Sequence, residues 1–138
     1  TKILTAEVSG IAIAAIAAQY FNVPVVFAKK TESKNLDKET FEGKVYSYTK
    51  EKHYKIRVSK RYISSEDKIL IIDDFLAHGE AILGLKEIVD EAQAELMGVG
   101  IVIEKGFQKG GDKLRQMNLN VHSLAIIKEM VDGKIIFE

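Results

Sequence analysis

The sequence predicts an α/β protein: a mainly parallel central sheet flanked by helices, with an additional β-hairpin. Three observations carry this. Uncharged aliphatic runs such as Ile69-Leu70-Ile71-Ile72 and much of Glu95–Glu104 recur along the chain, and runs of that kind suit strands covered on both faces. Segments with helical apolar spacing lie between them. Twice a strand-like run passes through a short loop of small residues into such a helix, the unit from which parallel sheets are assembled.

Lys2–Thr5 is the first strand, leading into Ala6-Glu7-Val8-Ser9-Gly10. Gly10 permits close backbone approach, and the segment also suits a plain turn between strand and helix. Ile11–Phe21 is Ala- and Ile-rich without charge, a helix apolar almost all round and expected to be buried against the sheet. Asn22-Val23-Pro24 ends it, because Pro24 cannot continue a helix. Val25–Ala28 is the second strand and runs into Lys29-Lys30, whose ammonium groups suit phosphate oxygens or a solvated strand end equally. Thr31–Gly43 is polar without a period and is expected to be a loop.

Lys44–Thr49 and Tyr54–Val58 alternate as the strands of a hairpin. Lys44, Lys50, Lys52, His53, Lys55, Arg57, Lys60 and Arg61 load it with potential cations, opposed within that stretch by Glu51. Such a run suits solvated surface or, with its tyrosines, a face for single-stranded nucleic acid. Gly79–Ala92 is an amphipathic helix, Glu95–Glu104 the fourth core strand, Gly110–Met117 a short helix, and Val121–Ile126 a strand whose His122 reads as structural. Lys134–Phe137 closes the chain as an edge strand after the Asp132-Gly133 turn.

A length of 138 residues fits one domain over 1–138. Its apolar fraction of 46% and charged fraction of 29% are ordinary for a globular protein. Twenty basic and 20 acidic side chains cancel, so no global charge points to nucleic acid or an anionic membrane, and an anion site must be local. There is no cysteine, which excludes disulfides, thiolate catalysis and zinc–thiolate sites and fits the cytosol. The longest apolar run is too short to span a bilayer. The chain opens on Thr1 and enters a strand pattern at once, as expected of a piece of a longer polypeptide.

Chemistry concentrates at Lys68–Ala81, KILIIDDFLAHGEA. Asp73 and Asp74 follow the apolar run, at the strand end where open α/β sheets bind ligands. Adjacent carboxylates repel unless a sugar diol or a hydrated cation engages them, although a carboxylate-capped turn is a plain alternative. Ala77, Gly79 and Ala81 then open a helix whose N-terminal amides suit a phosphate. At the end of the fourth strand, Lys105-Gly106-Phe107 offers a ring that can stack on a purine. Beside it is a donor-only side chain that prefers a carbonyl oxygen to an exocyclic amine; a strand cap and a core phenylalanine would look similar.

Ile69–Asp74 followed by Phe75–Ala81 resembles the phosphoribosyl-pyrophosphate (PRPP) signature of the type I phosphoribosyltransferases, with His78 where Thr or Asn is commoner. The resemblance covers essentially the whole chain. It is nearest to the xanthine-specific branch, through Glu7-Val8-Ser9-Gly10, the run Val45–Lys50, and Gly100-Ile101-Val102-Ile103-Glu104 followed by Lys105. It implies the type I fold with a flexible hairpin, Mg²⁺ bound with PRPP, and transfer of ribose 5-phosphate to xanthine, giving XMP and pyrophosphate in purine salvage. Asp73 and Asp74 would then hold the ribose hydroxyls, directly or through Mg²⁺. Ala77, His78, Gly79, Glu80 and Ala81 would hold the 5′-phosphate. Glu7, Val8, Ser9 and Gly10, with Lys29 or Lys30, would hold pyrophosphate. Ser47 and Tyr48 would belong to the mobile hairpin, and Lys105 and Phe107 would orient the base.

The resemblance also implies a cytoplasmic homodimer without nucleic-acid or membrane partners, and an N-terminal segment, missing here, that forms a hood over the base. Two alternatives share these residues: a PRPP-sensing purine transcriptional regulator, and a guanine, hypoxanthine or adenine phosphoribosyltransferase.

Overall fold

A computed structural model describes residues 1–30, 39–48 and 51–138. Six strands form one sheet in the order β2-β1-β5-β6-β7-β8: β1 (Lys2–Ala6), β2 (Val25–Ala28), β5 (Lys68–Leu76), β6 (Glu95–Lys105), β7 (Val121–Val131) and β8 (Lys134–Phe137). All neighbours are parallel except β7 and β8, whose Asp132-Gly133 turn has positive φ at both residues (52° and 72°), as a tight hairpin requires. β3 (Thr40–Ser47) and β4 (Lys52–Ser59) form a separate antiparallel pair. The helices are α1 (Ser9–Phe21), α2 (Glu80–Glu91) and α3 (Gly110–Gln116).

The larger core lies between the sheet, α2 and the hairpin, and joins Leu4, Ile69, Ile71, Val99 and Ile101 to Ile82, Leu85, Ile88 and Val89, with Val45, Ile56 and Val58 from the hairpin. β3 rests directly on α2, since a Cβ on Gly43 would lie 2.6 Å from the carbonyl carbon of Gly84. The opposite face carries a small cluster of Ile3, Ala14 and Ile72 beneath α1.

Several expectations give way here. α1 buries Gly10 and Ala14 but leaves Ile16, Tyr20 and Phe21 60% exposed or more. A helix lying on one sheet face covers one stripe of itself, so an all-round apolar composition does not bring all-round burial. β3 starts at Thr40, inside the segment expected to be a loop through Gly43; residues 31–38 of that segment lie outside the described residues. β5 continues through both aspartates to Leu76, and β7 runs five residues past Ile126. Backbone pairing with β6 and β8 sustains these strands where side-chain hydrophobicity stops. The structural reading of His122 is not among these: its side chain is exposed and bonds Asn120 Oδ1 at 2.9 Å.

Candidate active site

The parallel pair β1 and β5 sends two strand–loop–helix turns to one edge of the sheet. The first turn, Glu7–Gly10, contains a cis Glu7–Val8 peptide and is tied to the end of β2 by Glu7 N–H donating to Ala28 O at 3.0 Å and Lys30 N–H donating to Glu7 Oε1 at 2.6 Å. Its backbone lies against the aspartates: a Cβ on Gly10 would collide with Thr5 Oγ1 and stand 2.9 Å from Asp73 Oδ1. The second turn, Ala77–Gly79, opens α2 through Gly79 at φ 88°. Neither N-cap residue, Val8 or Gly79, caps its helix with a side chain, so both helices turn first-turn N–H groups toward this edge, the arrangement that receives anions.

Asp73 and Asp74 sit between these turns in unlike surroundings. Burial pushes the Asp73 carboxyl up to about 7, aided by its hydrogen bonding with Asp74; Tyr54 from the hairpin lies close enough for the Asp73 charge to raise its hydroxyl, after burial itself. Partial burial acts on Asp74 the same way but is outweighed by hydrogen bonds from the Ser9 hydroxyl, Asp73 and the Phe75 backbone, and its carboxyl is held below the usual range. Asp74 N–H also donates to Asp73 Oδ1 at 3.0 Å. One carboxylate is thus ionised and oriented by the first turn, and its neighbour titrates near neutrality.

The hairpin borders the second turn, with Tyr46, Tyr48 and Tyr54 lining a pocket shared with Phe75, His78 and Gly79. The Tyr48 ring stacks on His78 with centroids 4.1 Å apart. Ser47 precedes it at the end of β3; Thr49 and Lys50, part of the sequence match, lie outside the described residues. Lys29 is engaged through its backbone, exchanging 2.9 Å hydrogen bonds with Arg57. Lys30 extends over the Tyr54 ring at 5.9 Å, and its charge draws Asp73 downward. Glu42 pairs with Lys55 at 2.6 Å and Arg57 at 2.7 Å, so part of the hairpin's charge is neutralised from a residue ahead of the basic run.

Glu80 and Ala81 are the first residues of α2, and Glu80 pairs with Lys113 of α3 at 3.1 Å. Lys105 ends β6, and its ammonium stands over the Phe75 ring at 5.3 Å. Phe107, 42% exposed, lies in the 3₁₀ turn Gly106–Gln108 that follows. The expected residues therefore gather along one edge, from the Glu7–Gly10 turn across both aspartates to Lys105.

Sequence reasoning missed three participants. Phe75 stood inside the quoted motif, but period-two alternation places it on the face of buried Asp73, so its 47% exposure at the strand end left no sequence signal. Thr5 is fully buried, and among the described residues its hydroxyl has no hydrogen-bond partner; a polar residue inside an apolar strand was the signal. Gly110 left no local trace, because its contact is with the distant Ala77–Gly79 backbone.

A parallel sheet with two helix-N-terminal turns flanking a carboxylate pair is the arrangement that suits a phosphorylated, hydroxyl-bearing ligand at its carboxyl edge. The chain belongs to the phosphoribosyl transferase domain family, which matches residues 1–124. It is 71% identical over 136 residues to a xanthine phosphoribosyltransferase of Alkaliphilus metalliredigens, covering 99% of this chain and 67% of that protein. To that of Clostridium novyi it is 62% identical over 138 residues, covering 100% and 73%. Its fold matches the adenine phosphoribosyltransferase of Rhodothermus marinus with a TM-score of 0.80 (22% identity, 92% of this chain and 69% of that one). The Saccharomyces cerevisiae adenine phosphoribosyltransferase, solved with adenine and an imino-altritol bisphosphate, gives 0.77 (25% identity, 89% and 66%).

Proposed function

We propose that this chain is the catalytic core of a xanthine phosphoribosyltransferase that takes ribose 5-phosphate from PRPP to a xanthine ring nitrogen and releases pyrophosphate. The observation that carries the reading is the carboxylate pair between two uncapped helix N-termini, with a lysine at the far end of the same edge. Asp73 and Asp74 hold the ribose hydroxyls. Ala77, His78, Gly79, Glu80 and Ala81 hold the 5′-phosphate by backbone donors. Glu7, Val8, Ser9 and Gly10, with Lys29 or Lys30 beside them, hold the pyrophosphate as its negative charge grows.

Lys105 donates to a purine carbonyl, which selects 6-oxopurines, and Phe75 and Phe107 supply rings for the base. The bond from C1 of ribose to pyrophosphate oxygen breaks as the bond to the purine nitrogen forms. No covalent nucleophile is needed, because an oxocarbenium-like transition state is served by positioning and charge. Ser47 and Tyr48 bring the hairpin over PRPP and exclude water from that centre.

The donor set suits Mg²⁺ carried by the substrate. Asp73 and Asp74 are hard oxygen ligands, while no group of three or more His, Cys, Asp or Glu able to hold a metal occurs among the described residues. When bound, Mg²⁺ supplies positive charge to the pyrophosphate oxygens. The partners are PRPP, xanthine and a second copy of the chain, in the cytosol; no described helix is long and apolar enough to cross a membrane.

Pyrophosphate release with PRPP and Mg²⁺, followed across xanthine, guanine, hypoxanthine and adenine, tests the reading. Release with xanthine foremost, and its loss in Lys105→Met, is expected. Release with adenine foremost, or PRPP binding without release on any base, would overturn it.

A further inference from the structure

Behind the base end of the site lies an ionic cluster that the reaction itself does not use. Glu104, the residue before Lys105, is 2% exposed. Arg115 of α3 grips it with two parallel hydrogen bonds of 2.9 and 2.7 Å, and Ser123 of β7 donates a third of 2.5 Å. Gly111 packs on the pair so tightly that a Cβ there would collide with Glu104 Oε1 and stand 2.6 Å from Arg115 Nη1. Replacing a buried ion pair by well-packed apolar groups is often neutral for stability, so what this pair adds beyond packing is the fixed geometry of its fork.

The geometry it fixes spans both ends of the site. Lys105 follows Glu104 directly, with its ammonium over Phe75. At the other end of α3, Gly110 N–H donates to Ala77 O at 3.0 Å, and a Cβ on Gly110 would lie 2.6 Å from the His78 carbonyl carbon and 2.7 Å from Gly79 N. The seven-residue α3 is therefore a strut, seated by backbone contact on the 5′-phosphate turn and fastened by Arg115 to the end of β6. The bidentate fork sets both distance and orientation, which a single ammonium would not.

We infer that Glu104 and Arg115 are positioning residues for base recognition: their pair holds the Lys105 ammonium at a fixed place relative to the 5′-phosphate turn. The inference rests on the xanthine-transfer reading for its functional consequence, while the positioning itself is a property of the free protein.

Arg115→Lys, which keeps the charge and loses the fork, and Glu104→Gln are compared with wild type in two measurements. Steady-state kinetics should show the KM for xanthine raised about tenfold, with kcat and the KM for PRPP within about threefold. The Lys105 side-chain methylene resonances of the free protein, assigned with Lys105→Arg, should lose the shift imposed by the Phe75 ring. Unmoved Lys105 resonances in folded Arg115→Lys overturn the inference whatever the kinetics, as does a fall in kcat that tracks folded fraction with both KM values unchanged. Should wild type show no turnover, that result counts against the xanthine-transfer reading alone, and the Lys105 resonances decide the role of the pair.

Discussion

Replacing Gly110 by alanine tests how the phosphate turn is held. The new methyl group would stand 2.6 Å from the His78 carbonyl carbon and 2.7 Å from Gly79 N, with Ala77 O closer still. These are backbone atoms, so no side chain can swing away. The obstacle is steric, because Gly110 is not among the positive-φ glycines. Overpacking of this kind costs about 1–3 kcal/mol. If the turn yields, that cost falls on its fit to the 5′-phosphate, and PRPP affinity drops about 5- to 150-fold.

Gly100→Ala is the control, since its Cβ would make ordinary contacts of 3.7 Å to Ile72 and 4.0 Å to the Ile71 carbonyl. Calorimetric titration with PRPP and Mg²⁺, beside thermal melts of both variants, reads the outcome. A Gly110→Ala protein that melts early yet binds PRPP as wild type does would refute the reasoning, because α3 and not the turn would then have moved.

Two further substitutions separate function from stability. Asp74→Asn should weaken PRPP binding by about 10- to 100-fold, the worth of hydrogen bonds to a charged group, while the melting temperature stays near wild type because Asp74 is part-exposed on the rim; titration and melting of one sample check both. Asp67→Asn should do the reverse. Burial favours the neutral form of Asp67, but Lys2 at 2.8 Å, the Ser64 N–H and the Thr1 hydroxyl outweigh it and bring the carboxyl down to about 2. A depressed carboxyl stabilises above the unfolded value near 4, and that stability is lost as pH falls through about 2. The asparagine variant should therefore lie about 2 kcal/mol below wild type in urea unfolding at pH 7, with the gap narrowing below pH 4. An equal gap at pH 7 and pH 2.5 would rule out the charge as its source.

What the sequence revealed and what it hid divide along physical lines. Ile69–Ile72, Gly79–Ala92 and Glu95–Glu104 were legible because periodicity is a local signature of burial, and the two turns because glycine and aspartate at strand ends announce chemistry. The extension of β5 through Asp73 and Asp74 was not legible, since hydrogen bonding to β6 maintains it and carboxylates mask it. Nor was the exposure of Ile16, Tyr20 and Phe21, which depends on how much of α1 the sheet covers. Contacts between parts distant in sequence were the least visible: Glu42 with Arg57, Gly110 with Ala77, and Arg115 with Glu104 leave no pattern in any single stretch. Lys105 could be proposed as a base ligand from its place after the strand; the pair that fixes its position could not.

The carboxylate pair shows why one dipeptide can supply two functions. The two carboxyls hydrogen-bond each other yet differ in surroundings: Asp74 meets the Ser9 hydroxyl at the start of α1, whereas Asp73 is 8% exposed and feels Tyr54. Holding two charges here without a ligand would combine burial with like-charge repulsion, and the protein avoids this by leaving Asp73 near half-protonated at pH 7. Ribose hydroxyls donating to the pair favour the ionised form, so PRPP binding should release a proton from Asp73, on the order of half a proton per site at pH 7 and almost none above about pH 8.5. Titrations in buffers of different ionisation enthalpy give the number released, and Asp73→Asn subtracts what PRPP itself contributes. Identical proton release by wild type and Asp73→Asn at pH 7 would mean that Asp73 is already ionised in the free protein, and the asymmetry of the pair would have to be abandoned.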